Sequence, residues 1–339
     1  MERDFAGMKA YLIKRILQII PTLLGITFIT LLIIQLAPGN PAALKLQMSA
    51  QGQKADSAMS QQIIEQTKKL YGLDKPLPVQ YVLWLKRIVT LDFGVSYKDH
   101  RKVWDKIAER LPITIQLNVI SIFIVYLIAI PCGIYSSTHS AYRSDKLLTL
   151  FFFFLYSLPN FWVAVLLIML LGGGDFWDIF PVYGVSSISA ESWPVFQWLM
   201  DRLWHLILPV ICLSYGGLAY LSRLTRASML EMIREDYVRT ARAKGLSEHV
   251  VIFKHAFRNA LLPIITLLAF LLPGMFGGSV IIESIFSIPG MGQLGFEAVL
   301  SRDYPVIMAI TAISALLTLV GLLLSDLLYA ALDPRIKLE

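Results

Sequence analysis

Apolar and polar positions fall in long blocks along this chain. Six runs, at 16–37, 113–135, 147–171, 203–221, 260–282 and 306–332, are almost free of charge. A helix of about 20 apolar residues spans the roughly 30 Å hydrocarbon core of a bilayer. Only a backbone that satisfies its own N–H and C=O groups survives there, so the runs predict six transmembrane helices. The first run, followed by Gln35-Leu36-Ala37-Pro38, is longer than a signal-peptide core and lacks a small-x-small cleavage site; it reads as a retained span. Residues 38–112 break the rhythm with twelve basic and seven acidic side chains. Within them, 61–70 and 79–89 carry apolar residues at helical spacing around the turn Gly72-Leu73-Asp74-Lys75-Pro76, which predicts an external helical cap.

The remaining long polar block, 222–259, predicts two helices. Ser228-Met229-Leu230-Glu231 fits a capping box, unless the fourth run simply continues through it as one helix, and Gly245 follows an Ala-, Arg- and Lys-rich run as a C-terminal glycine would. Ser247 can cap the next helix, in which Val250, Phe253, Phe257 and Leu261 recur at three- and four-residue steps. An elbow at Gly245-Leu246-Ser247 results. Two readings stay open at this point: a docking surface for another protein, or a basic loop that meets anionic headgroups.

Composition strengthens the membrane reading. Of 339 residues, 56% are hydrophobic and 16% charged, with a mean hydropathy of +0.63, too few charges to coat two soluble domains. The net charge of +6 is dealt out by loop, which argues against nucleic acid as a partner. Termini and short loops of one side carry sixteen Lys and Arg, those of the other only Arg202 and Arg302. The positive-inside bias then puts both termini in the cytoplasm. The expected organisation is a cytoplasmic N-terminus (1–15), helix one (16–37), the external cap (38–112), a core of helices two to six (113–332) containing the loop 222–259, and a cytoplasmic tail (333–339). Cys132 and Cys212 lie in apolar runs and offer neither a disulfide framework nor a metal set.

Catalytic chemistry finds little support. Gly-Lys never occurs, so the chain has no P-loop, and H-E-x-x-H and G-x-S-x-G are absent. Gly172-Gly173-Gly174-Asp175 matches a short protease string, but at the end of a span, where glycines terminate helices. An ion-driven carrier would place an ionisable group near the midplane. Only His205 and Asp326 lie within the runs, both toward their ends. Asp326 is a candidate for an ion pair with Arg223, Arg226 or Arg335, or for contact with headgroups. Run five holds Pro263, Pro273, and the G-x-x-x-G pair Gly274 and Gly278. Small residues let helices approach and prolines bend them, so Pro273, Gly274 and Gly278 are candidates for lining a pathway or packing beside it. Pro159-Asn160 and Gly216-Gly217 are weaker ones.

The string Glu235-Asp236-Tyr237-Val238-Arg239-Thr240-Ala241-Arg242-Ala243-Lys244-Gly245-Leu246, followed by His255-Ala256-Phe257-Arg258-Asn259-Ala260-Leu261-Leu262-Pro263, resembles the signature loop of binding-protein-dependent ABC importer permeases. The dipeptide, oligopeptide and nickel branch, in its first (B-type) subunit, is the best match. Ala37-Pro38-Gly39-Asn40-Pro41, Phe286-Ser287-Ile288-Pro289-Gly290-Met291-Gly292 and Arg302-Asp303-Tyr304-Pro305 carry it further along the chain. Arg239-Thr240-Ala241 stands where the wider superfamily has Glu-Ala-Ala, as in the peptide branch. The resemblance implies an all-α integral membrane protein of type I importer (MetI-like) architecture in a bacterial inner membrane. It implies that Thr240, Ala241, Ala243 and Gly245 lie in a coupling helix, flanked by Arg239, Arg242, Lys244 and Leu246, that docks on a cytoplasmic ATPase. The implied partners are a second permease, two ATPases that bind ATP and magnesium, and an external solute-binding protein. No catalytic residue, metal ligand or cofactor is expected on this chain. The implied solute is a peptide, with nickel or glutathione as alternatives and an ion-gradient carrier as the rival function.

Overall fold

The computed structural model describes residues 2–36, 75–140, 142–173, 176–268 and 271–332. The expected helix at 61–70, the turn at 72–74, Arg335 and the tail lie outside them. Among the described residues the fold is helical, with only two isolated β-bridges, Val95 to Lys102 and Gly172 to Asp178. Five helices are long and apolar enough to cross a membrane, and a bent pair brings the number to as many as six.

The chain divides into two compact units. The first comprises 1–111 and 294–319. Its α1 (Glu2–Leu36) leaves Ile16, Leu17, Ile20, Phe28, Ile29 and Ile33 exposed. Such a surface is stable against acyl chains and not against water. Leu31 and Ile34 are buried with Tyr304 and Met308, and Tyr81, Trp84 and Tyr97 pack on this cluster. Tyr81 and Trp84 come from α2 (Leu77–Val89), which has Pro78 in its first turn, where a missing N–H leaves no helical bond unmade. The Tyr81 hydroxyl donates to the Leu24 carbonyl at 2.7 Å, pinning α2 to α1. Between α2 and α3 (Val103–Thr138) the loop is tied by Asp303: its carboxylate accepts the Tyr97 amide at 2.8 Å and the Ser96 hydroxyl. Lys106 stands 3.8 Å from Asp303 and donates to Asp99 at 2.8 Å. Partial burial pushes the Asp99 carboxyl up, but hydrogen bonds from Lys106 and the Arg101 amide, with the Lys106 charge, outweigh it and hold the group at about 2.

The second unit comprises 112–293 and 320–338. Here α4 (Arg143–Ser157) and α5 (Asn160–Leu171) meet at 95°. Pro159 causes the bend: it denies Leu158 the helical region, and Leu158 is extended at φ −84°, ψ 130°. The long α6 (Val195–Ile233) runs unbroken through Pro209. Leu117, Ala164, Leu206, Leu208, Cys212, Ile282 and Phe286 form the core. At the other end of α3, a Cβ on Gly133 would lie 2.5 Å from Thr225 Cβ, so α3 and α6 approach closely there.

After α6 come α7 (Asp236–Ala243) and α8 (Glu248–Val250), which continues as a π-helical stretch, Val251–Phe257, and a turn, α9 (Arg258–Ala260). The fifth apolar run is assembled from α10 (Leu262–Leu268), α11 (Leu271–Gly277) and α12 (Val280–Ile285). Two helices follow, α13 (Met291–Ser301) and α14 (Tyr304–Leu332).

Candidate functional site

The segment 234–257 is built around one short amphipathic helix. The capping box that Ser228 could open is absent: Ser228 is buried inside α6, and the helix carries on past it to Ile233. A straight continuation satisfies every amide in that stretch, which leaves a serine cap nothing to do. The break comes instead at Arg234 and Glu235, where Glu235 turns extended at ψ 147° before α7 starts. Three residues apart on α7, Val238 and Ala241 are buried. They join Met229, Val251, Ala256, Ala260 and Ile134 in one apolar cluster. This cluster pins the helix to α6, to α3 and to the π-helical stretch.

The opposite face is exposed. Arg239, Thr240, Arg242, Ala243, Lys244, Gly245 and Leu246 are exposed, so seven of the eight coupling candidates face outward and Ala241 faces in. Gly245 closes the helix in the left-handed region at φ +76°, donating to the Arg242 carbonyl at 2.9 Å. A Cβ there would meet nothing within 4 Å. Glycine is therefore required by the backbone angle and not by crowding. Ser247 precedes Glu248 in extended conformation but makes no side-chain cap bond. Glu248 instead accepts Arg242 Nε at 2.8 Å and Nη2 at 3.3 Å, a fork across the turn. The arrangement is a rigid cationic knob with one exposed leucine. It presents donors and apolar surface and no reacting group.

The pathway candidates separate. Pro273 is half-buried in α11, and Gly274 faces open space. Gly278 is not a helix-packing residue, contrary to the G-x-x-x-G reading. It lies beyond the end of α11 at φ +64°, where a Cβ would come within 2.3 Å of Glu283 Oε1. Glu283 is 1% exposed. Its carboxylate accepts the Gln293 amide at 2.8 Å, the Ser279 amide at 3.2 Å and the Thr114 hydroxyl at 3.3 Å. Cβ atoms at Gly290 or Gly292 would strike it too. The loop Ser287-Ile288-Pro289-Gly290 and the first turn of α13, with Met291 and Gly292, thus close around a buried carboxylate. A glutamate flanked by Gly278, Gly290 and Gly292 was the available signal.

Asp326 lies half-buried in α14. Arg226, one of its candidate partners, is held by Asp145, with Nη2 to Oδ2 at 2.8 Å. Asp145 had no sequence signal beyond its place in a short basic loop. Among the described residues no group of three or more His, Cys, Asp or Glu could hold a metal ion.

Comparison with known proteins places this helical, membrane-embedded chain. Residues 129–338 match the family described as binding-protein-dependent transport system inner membrane component, and 8–118 match its N-terminal membrane component family. The chain belongs to this family. It is a permease component of a binding-protein-dependent importer in the inner membrane. The permease is 43% identical to the oligopeptide transport system permease protein AppB of Bacillus subtilis, over 97% of this chain and 100% of that one. Identity is 38% to the inner membrane ABC transporter permease protein YejB of Escherichia coli O157:H7, covering 98% and 100%. It is 35% to the peptidoglycan transport system permease protein YejB of Agrobacterium fabrum, covering 98% and 99%.

Proposed function

We propose that this permease is one half of an ATP-driven importer that carries peptides inward by alternating access, with both termini in the cytoplasm. The observation that carries the reading is the exposed face of α7, held by Val238 and Ala241 and closed by Gly245. A rigid knob of this kind passes the closing of two ATPase domains to spanning helices as a rigid-body movement. The partners we infer are a second, related permease, two ATPase subunits that hold ATP and magnesium, and an external solute-binding protein. The full-length relative named for oligopeptides supports peptide as the solute. Pro273 and the open Gly274 remain candidates for the pathway, and Asp326 for an ion pair near the cytoplasmic end of α14.

Purification in mild detergent tests the reading. A Walker-motif ATPase is expected to accompany the tagged permease, and uptake by the reconstituted complex is expected to require ATP and be competed by short peptides. Accumulation of solute by vesicles holding this chain alone, along an ion gradient, overturns it. Competition by nickel or glutathione and not by peptides overturns the solute alone.

A further inference from the structure

Two joints on α6 hold the bent pair. At the bend, Leu158 is extended and Pro159 brings no amide, so the carbonyls that end α4 lose their helical donors. The buried Tyr215 of α6 fills the gap. Its hydroxyl donates to the Leu158 carbonyl at 2.7 Å and stands 3.0 Å from Asn160 Oδ1, the first residue of α5. One side chain thereby grips both legs of the bend. Eleven residues on, about 16 Å along the helix axis, Arg226 makes the second joint. Its Nε donates to Asp145 Oδ1 at 2.9 Å and its Nη2 to Oδ2 at 2.8 Å, a fork that fixes direction as well as distance. The Asp145 side chain is 4% exposed and also accepts the Ser136 hydroxyl from α3. Three residues beyond Arg226, Met229 enters the cluster that pins α7.

The same rod, α6, therefore carries the knob at one end and the bend along its length. We propose that Tyr215 and the Asp145–Arg226 pair are positioning residues for transport: they make α4 and α5 travel with α6, so that a displacement entering at α7 is delivered to the bend. A single packed interface could slide; two polar joints eleven residues apart on α6 oppose both sliding and rotation. The proposal rests on the reading of α7 as an ATPase dock.

The test uses the full reconstituted transporter with Tyr215→Phe, Asp145→Asn and Asp145→Glu. Uptake per ATP hydrolysed is expected to fall about fivefold or more in Tyr215→Phe and Asp145→Asn, the lower end of typical coupling effects. The amount of ATPase that co-purifies is expected to stay unchanged, and Asp145→Glu should recover part of the loss. A merely structural role would lower assembly and leave the ratio intact. An unchanged ratio in Tyr215→Phe overturns the proposal, and that variant decides alone if Asp145→Asn fails to assemble. Spin labels at Trp162→Cys and Tyr220→Cys, with Cys132 and Cys212 replaced by alanine, give a readout that needs no ATP. Their distance distribution is expected to broaden in Tyr215→Phe; an unaltered width also overturns the joints. Should the parent transporter take up solute without its ATPase, the dock reading fails, and the label distances still judge the joints.

Discussion

Two glycines with similar backbone angles answer to different constraints. At Gly245, φ is +76° and the space beyond is open, so Gly245→Ala adds only the cost of a left-handed residue, about 1–2 kcal/mol. Gly245→Val adds a branched side chain to that strain at the tip of the knob. It is expected to insert normally and to lose most ATP-coupled uptake, measured in vesicles with the ATPase present. Gly278 combines φ +64° with a Glu283 oxygen and the Gly292 amide inside van der Waals range. Gly278→Ala is expected to lower the melting temperature in detergent clearly more than Gly245→Ala does, and equal effects would refute the crowding account. Asp99 gives a pH signature. Its carboxyl is held below the ordinary value of 3.8 at about 2, so the stability it adds is fully present above pH ~4 and is lost as pH falls through ~2. Hydrogen exchange at 94–106 is expected to quicken across that window in the parent protein and to show a flatter profile in Asp99→Asn.

Helices show how far the sequence could be read. Long uncharged runs announce themselves, because lipid tolerates nothing else, and the runs at 113–135, 203–221 and 306–332 lie inside continuous helices. The bend at Pro159 was visible as a proline, but neither its 95° angle nor the Tyr215 hydroxyl that meets the Leu158 carbonyl from 57 residues further along the chain could be read from it. Ser228 to Glu231 satisfies a capping pattern that matters only where amides are orphaned, and of the two readings, a cap or a helix that continues, the structure has the second. The true break at Arg234 and Glu235 carries neither glycine nor proline. Glu283 and Asp145 escaped notice since a carboxylate looks external until the amides and guanidinium that surround it are placed by the fold. On α7, the buried Val238 is the element's main fastening. Val238→Ala is expected to weaken its docking by about 1–2 kcal/mol, part of the value of burying a valine. ATPase recovered with the tagged permease should fall while that of the parent does not; equal recovery would show that the knob needs no apolar anchor.

At the scale of the whole molecule, the first prediction concerns sidedness. Cysteines introduced at 50–60 are expected to react with an impermeant reagent from outside, and those at 244–248 only from inside; the opposite pattern overturns the topology. Lengths matter here as well. The legs α4 and α5, at 15 and 12 residues, reach about 22 and 18 Å, and neither alone covers the hydrocarbon core. The exposed Phe151, Phe153, Phe154, Phe161 and Trp162 on them require acyl chains or another subunit as neighbours. The open Gly245 has a consequence for descent. A surface whose contour is drawn by main-chain dihedrals can be re-addressed to a foreign motor by repainting Arg239, Arg242 and Leu246, with the bones beneath untouched. Lineages that exchange their power source should therefore differ at those three positions long before they differ at the glycine.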